Sequence, residues 1–128
     1  MNFTEKEISL AKEMKLECQY NFGDIVIVAN KLRLSNNVCI VIGNLNEQFG
    51  EVEIAIQHNV RHIVPVASVT WLPLWHQCRK ILCDYLIELT GTANTVTLKL
   101  IRNGKQITFS GDTDLEALYR AILFQKKR

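Results

Sequence analysis

Thr95-Val96-Thr97-Leu98-Lys99-Leu100-Ile101-Arg102-Asn103-Gly104-Lys105-Gln106-Ile107-Thr108-Phe109 is the stretch that decides the fold class. Asn103-Gly104 is the strongest short-range hairpin signal, because a type I′ turn needs positive φ at both central positions. A two-residue loop there fixes the register. Arg102 faces Lys105, Leu100 faces Ile107, and Leu98 faces Phe109. The apolar pairs fall on one face, and Lys99 and Thr108 on the other, so turn chemistry and hydrophobic pattern agree. Ile101 breaks the alternation and is expected under a neighbouring element.

Outward from this hairpin the chain reads as helices. Residues 113–125 carry Leu115, Leu118, Tyr119 and Ile122 at helical spacing. Thr113 and Glu116 have the spacing of a capping box, in which the Thr hydroxyl takes the N3 amide and the Glu carboxylate reaches back to the N-cap amide. Asp114 and Glu116 at the start, and Lys126, Lys127 and Arg128 at the end, complement the helix dipole. On the other side, Leu74, Cys78, Ile81, Leu82, Tyr85, Leu86 and Leu89 predict a helix over residues 73–90. Pro73 suits its first turn, and Gly91 is placed to end it in left-handed geometry.

The first helix is predicted over residues 4–16. Thr4 and Glu7 repeat the capping box, Ile8, Leu10, Ala11 and Met14 form its apolar stripe, and Phe3 with Ile8 has staple spacing. Built structure at both ends predicts one complete domain over residues 1–128. Residues 24–71 read as strands separated by turn clusters such as Phe22-Gly23-Asp24, Ser35-Asn36-Asn37 and Gly43-Asn44. Val52, Ile54 and Ile56 alternate with Glu51, Glu53 and Gln57, as in a strand with one wet face. Pro65 cannot donate to a ladder, so its run is an edge strand or breaks there. Short strands with short connections imply antiparallel pairing. The expected fold is α+β. An antiparallel sheet, curved or rolled into a half-barrel, and the hairpin are packed with three helices, two of them covering the sheet and the first docked at an edge.

Composition is that of an ordinary globular protein of 128 residues, 48% hydrophobic and 22% charged. The net charge of +2 is uneven: residues 1–64 hold six basic and eight acidic residues, residues 65–128 nine and five. A +4 second half is too small for a nucleic-acid footprint to be the default reading. No apolar run reaches the ~18 residues of a membrane span, and the charged opening is unlike a signal peptide. A cytoplasmic protein with reduced thiols at Cys18, Cys39, Cys78 and Cys83 is expected, in the host cell cytoplasm if the chain is viral. Cys39 and Cys78 sit in apolar surroundings and read as small hydrophobes.

Thr4-Glu5-Lys6-Glu7-Ile8 with Leu10-Ala11-Lys12-Glu13-Met14 and then Phe22-Gly23-Asp24 resembles the opening of small proteins encoded in phages and prophages of Gram-positive bacteria. Thr70-Trp71-Leu72-Pro73 and Trp75-His76-Gln77-Cys78 resemble the middle of those proteins. Gly111-Asp112-Thr113-Asp114-Leu115-Glu116-Ala117-Leu118-Tyr119-Arg120-Ala121-Ile122-Leu123 resembles their last helix. Residues 24–69 depart from the pattern, being longer and richer in strands. The resemblance implies a setting, a mobile element or virus, and no catalytic residue is carried over from it.

Chemistry-bearing motifs are sparse. His58 and His62 bracket a turn, and Cys78 and Cys83 are five apart on a predicted helix, so neither pair has structural-zinc spacing. There is no nucleophile motif and no Gly-rich phosphate loop, and Asp112 and Asp114 read as helix-start charges. Neither catalytic residues, a metal nor a cofactor is expected. Trp71, Trp75 and Tyr85 are candidate pocket rings, Trp71 being assigned to packing. An exposed Trp75 beside His76 and Arg79 would make an interface hot spot. Lys99, Arg102 and Lys105 cluster on the hairpin, where a basic β-ribbon could meet phosphates.

Three functions follow in order of expectation. The first is a small non-enzymatic binding protein of phage type that contacts a host or viral macromolecule, inhibition of host defence being one version. The second is a nucleic-acid-binding module using the basic hairpin and the C-terminal tail. The third is a protein that sequesters or hydrolyses a small molecule such as a nucleotide. A partner protein or nucleic acid is expected, with no membrane, and a strand edge offers a homodimer contact.

Overall fold

The structure, a computed structural model, describes residues 3–16, 23–28, 38–46, 50–56 and 60–127. Cys18, Phe22, the Ser35-Asn36-Asn37 cluster, Gln57, His58 and Arg128 lie outside the described residues, as do the side chains of Val52 and Ile56. The chain forms two compact units, one of Met1–Phe3 with Lys15–Pro73, the other of Thr4–Met14 with Leu74–Arg128. Among the described residues the class is α+β, with three helices and two antiparallel sheets. Among these residues no helix is long and apolar enough to cross a membrane.

In the first unit β1 (Ile25–Val28), β2 (Val38–Asn46), β3 (Glu51–Ile56), β4 (Val60–Pro65) and β5 (Val69–Trp71) form one sheet in the order β4-β3-β2-β1-β5. The order forces curvature. The outer strands of a flat five-stranded sheet would stand roughly 19 Å apart. Pro65 and Val69 are joined through the 3-10 turn Val66–Ser68, and four residue steps reach at most about 14 Å. The sheet must roll over to let β5 pair with β1, and register shifts in β2 between Val41 and Gly43 and between Gly43 and Asn46 supply the bend. It does not close, since β4 and β5 are both edges.

Inside this half-barrel Val26, Val28, Cys39, Val41, Ile54 and Val64 form the core, with Val69 and Trp71 packed against it. Trp71 is thus a packing residue, as its place before Pro73 predicts, although its buried indole N–H has no hydrogen-bond partner among the described residues. Pro65 ends an edge strand, where its missing N–H costs no ladder bond.

The second unit holds α1 (Glu5–Met14), α2 (Trp75–Ile81), β6 (Leu86–Gly91), β7 (Val96–Arg102), β8 (Lys105–Gly111) and α3 (Asp114–Lys126). The hairpin register is the one the turn dictates. Leu98 pairs with Phe109, Leu100 with Ile107 and Arg102 with Lys105. Asn103 and Gly104 take φ of 53° and 76°, the positive pair of a type I′ turn.

The predicted helix over 73–90 is corrected. Only Trp75–Ile81 is helical, a turn follows, and Leu86–Gly91 is a third strand paired with β7. Ile87 and Leu89 face Leu100 and Leu98, so an apolar spacing that fits a helix also fits a half-buried strand, and the ladder to β7 decides between them. Two readings fall with it. Pro73 lies outside the helix, whose start is held by Leu74 N–H donating to Gln77 Oε1 at 2.8 Å. Gly91 pairs with Val96 and does not adopt positive φ. Ile101 is half-buried. It lies on the outer face of the three-stranded sheet, opposite Leu86, which is 63% exposed.

α3 is the centre of this unit. It packs on α1, α2, β7 and β8, and Ala117, Leu118, Tyr119, Ala121 and Ile122 are all fully buried. α1 is therefore docked on α3 and not at a sheet edge. The two predicted capping boxes meet there. Thr4 Oγ1 accepts from Glu7 N–H at 3.1 Å, and Glu7 Oε1 accepts from Thr4 N–H at 2.7 Å. Thr113 Oγ1 accepts from Glu116 N–H at 3.1 Å and donates to Glu7 Oε2 at 2.8 Å. Glu116 reaches one residue beyond the expected amide, accepting from Asp112 N–H at 2.8 Å, and its other oxygen takes Arg120 at 3.0 Å. Both carboxylates are buried, Glu7 at 4% and Glu116 at 2% exposure, and each is satisfied, as burial requires.

At the rim Lys6 Nζ donates to Asp112 at 2.8 Å. This hydrogen bond and charge lower the Asp112 carboxyl below the ordinary carboxylate range. The pair therefore contributes above that range and loses its contribution as pH falls through the lowered value. At the opposite end, Lys126 donates to the Met14 carbonyl and caps α1.

Candidate functional site

α2 places Trp75 and Arg79 one turn apart, with the Arg79 guanidinium 5.0 Å from the centre of the Trp75 ring. Trp75 is half-buried, and His76 and Arg79 are exposed. Trp75 and Arg79 come together, with one face of the indole covered by the guanidinium, while His76, the next residue along, leaves a different side of the helix.

The hairpin cations separate. Alternation along β7 puts Arg102 on the face of Leu98 and Leu100, and Lys99 on the other, in register with Glu88 and Thr108. Arg102 and Lys105 are directly opposed across the turn, both exposed. Among the described residues neither forms an ion pair with a carboxylate.

Tyr85 joins them. Because Leu86 is opposite Ile101, the residue before it stands beside Arg102, whose guanidinium lies 5.8 Å from the Tyr85 ring centre. The Tyr85 hydroxyl donates to Gln125 Oε1 at 2.8 Å, which ties the ring to the last turn of α3. Gln125 Nε2 is buried and has no partner among the described residues. Around these groups lies an open groove of about 510 Å³ with Leu100 and Ile107 in its lining and Tyr85, Arg102 and Lys105 at its sides. Its volume falls within the range of ligand sites.

Tyr85 was legible as a candidate ring, but the helix assigned to it hid its neighbours. The Leu86–Ile101 pairing is the signal that would have placed it. Of the C-terminal tail, Lys126 is committed to capping α1, and Lys127 is exposed.

Two thiols, Cys39 and Cys78, are poor candidates for nucleophiles. Burial pushes the Cys78 thiol up to about 12, and the Asp114 carboxylate adds to the rise. Burial also raises Cys39. Cys83 is exposed. Alkylation of the native protein at about pH 8 should therefore modify Cys83 quickly, whereas Cys39 and Cys78 should react only after unfolding. Peptide mapping by mass spectrometry reads this directly, and fast native labelling of Cys78 would contradict the packing described. Among the described residues no three His, Cys, Asp or Glu side chains gather as metal ligands.

No known protein family, curated protein or solved structure matches this chain.

Proposed function

We propose that the chain is a non-enzymatic nucleic-acid-binding module whose contact surface is the β7–β8 tip. The observation that carries this reading is the direct opposition of Arg102 and Lys105 on one face, with no carboxylate paired to either among the described residues. Like charges directly opposite each other destabilise an antiparallel pair. Stability alone gives no reason for that arrangement, whereas a polyanion gives one. The fragments that resemble phage and prophage proteins fit the same reading, a nucleic acid being a host or viral macromolecule such a protein would contact.

Salt separates this function from a protein-binding one. Each neutralised phosphate adds about 0.7–0.9 to the slope of log affinity against log salt. Two contacts predict a slope of roughly −1.4 to −1.8. Lys105→Glu supplies a sharp contrast, because it replaces a like pair by an opposite one. The variant should be more stable by about 0.2–1 kcal/mol while losing nucleic-acid affinity. Thermal melting and fluorescence anisotropy with a labelled oligonucleotide measure both. Absence of binding at low salt would sink the reading.

A further inference from the structure

We infer that the groove beside the hairpin tip is a site for one unpaired base and its flanking phosphate, so that the preferred ligand is single-stranded. This rests on the nucleic-acid reading and narrows it. Charge alone does not distinguish a single strand from a duplex, and three features of the groove do. First, it combines cations with an aromatic ring. A duplex offers phosphates and base edges, and only an unpaired base offers a flat face to stack against a side-chain ring. Second, the ring is held. The Tyr85 hydroxyl is fixed by Gln125, and the Arg102 guanidinium lies 5.8 Å from the ring centre. A stacking platform on both planar groups is in place before a ligand arrives. Third, Ile107 gives the lining an apolar part with Leu100 buried behind it, Asn103 and Gln106 add uncharged polar groups, and the charge is confined to Arg102 and Lys105. The two cations stand one cross-strand spacing apart, about 5.5 Å between Cα atoms, close enough to engage the phosphate beside a base seated against Tyr85. An acidic or phosphorylated peptide would satisfy the cations and leave the ring and the apolar lining without a partner.

The test is anisotropy at fixed salt with a labelled oligo-deoxythymidine, a duplex of equal length, a phosphopeptide and thymidine monophosphate. The single strand should bind at least tenfold more tightly than the duplex. Tyr85→Leu should lose about tenfold in affinity for the single strand with its salt slope unchanged, because the ring carries no charge. Tyr85→Phe, which keeps the ring, should stay close to the parent. Arg102→Gln should lower both affinity and slope. A melting curve for each variant shows that it is folded. Cross-linking of a bromodeoxyuridine-substituted strand to the unaltered protein needs no substitution at all, and it should map to peptides holding Tyr85 or the hairpin tip.

Equal affinity for duplex and single strand, or cross-links elsewhere, would overturn the base site. If Arg102→Gln and Lys105→Glu still weakened binding, the broader reading would stand. Phosphopeptide binding at equal strength would also overturn it, whereas competition by the mononucleotide that Tyr85→Leu abolishes would support it, since that molecule carries one base and one phosphate. No binding of any nucleic acid at low salt removes both readings together.

Discussion

Thr113→Val lowers the melting temperature by about 10 °C, while Thr113→Ser leaves it within a few degrees. The Thr113 hydroxyl does two jobs at one atom. It accepts from Glu116 N–H and donates to Glu7 Oε2. Valine keeps the shape and loses both. The lost N-cap costs about 1 kcal/mol. Leaving a buried carboxylate oxygen short of a donor adds roughly 1–3 kcal/mol, for a total near 2–4 kcal/mol. Thr4→Val is the control. Thr4 is exposed and its hydroxyl caps α1 by accepting from Glu7 N–H, so that change should cost only the cap, about 1 kcal/mol. Thermal scans of the three variants decide the matter. If Thr113→Val costs no more than Thr4→Val, the two caps are not coupled.

The second large effect lies at the turn. Asn103→Ala with Gly104→Val should destabilise the protein by about 3 kcal/mol, because it forces two residues that resist positive φ into the left-handed region at roughly 1–2 kcal/mol each, valine the more so. Asn103→Gly should be nearly neutral, since glycine takes that region freely. The double variant should also lose oligonucleotide binding, because the positions of Arg102 and Lys105 depend on a two-residue loop. A double variant that melts like the parent would mean that the strands pair in another register.

These two sites also mark what was legible before the structure. The hairpin could be read because its instruction is local: Asn103-Gly104 fixes a turn, and the apolar pairs on either side agree with it. Each capping box was equally local. Their junction was not, because nothing near Glu7 signals that its second oxygen will meet a hydroxyl 106 positions away. β6 failed for a related reason. Leu86, Ile87 and Leu89 carry no period that separates strand from helix over so short a run, and the ladder to β7 that settles it is tertiary. The groove depends on that ladder, which brings Tyr85 beside Arg102. The turn alone opposes Arg102 and Lys105, but helical spacing claims Tyr85 for a helix stripe, and nearness in sequence groups Lys99 with cations from which the pleat separates it. In the middle of the chain, Pro65 identified its edge. The rolling of the sheet was expected only in general terms. It becomes necessary once β5 is known to return to β1.

The docking of α1 on α3 has a consequence for biosynthesis. The unit they share is interrupted by residues 15–73, which build all but residues 1–3 of the other unit. At elongation rates of about 5–20 residues per second, some 5–20 seconds pass between translation of Glu7 and of Thr113. A ten-residue helix is marginal in water by itself. The half-barrel can therefore form on the ribosome while α1 waits for a partner, and the second unit can close only after α3 has emerged. Folding order is thus written into the chain as an interval of time: α1, made before the half-barrel, finds its place after it.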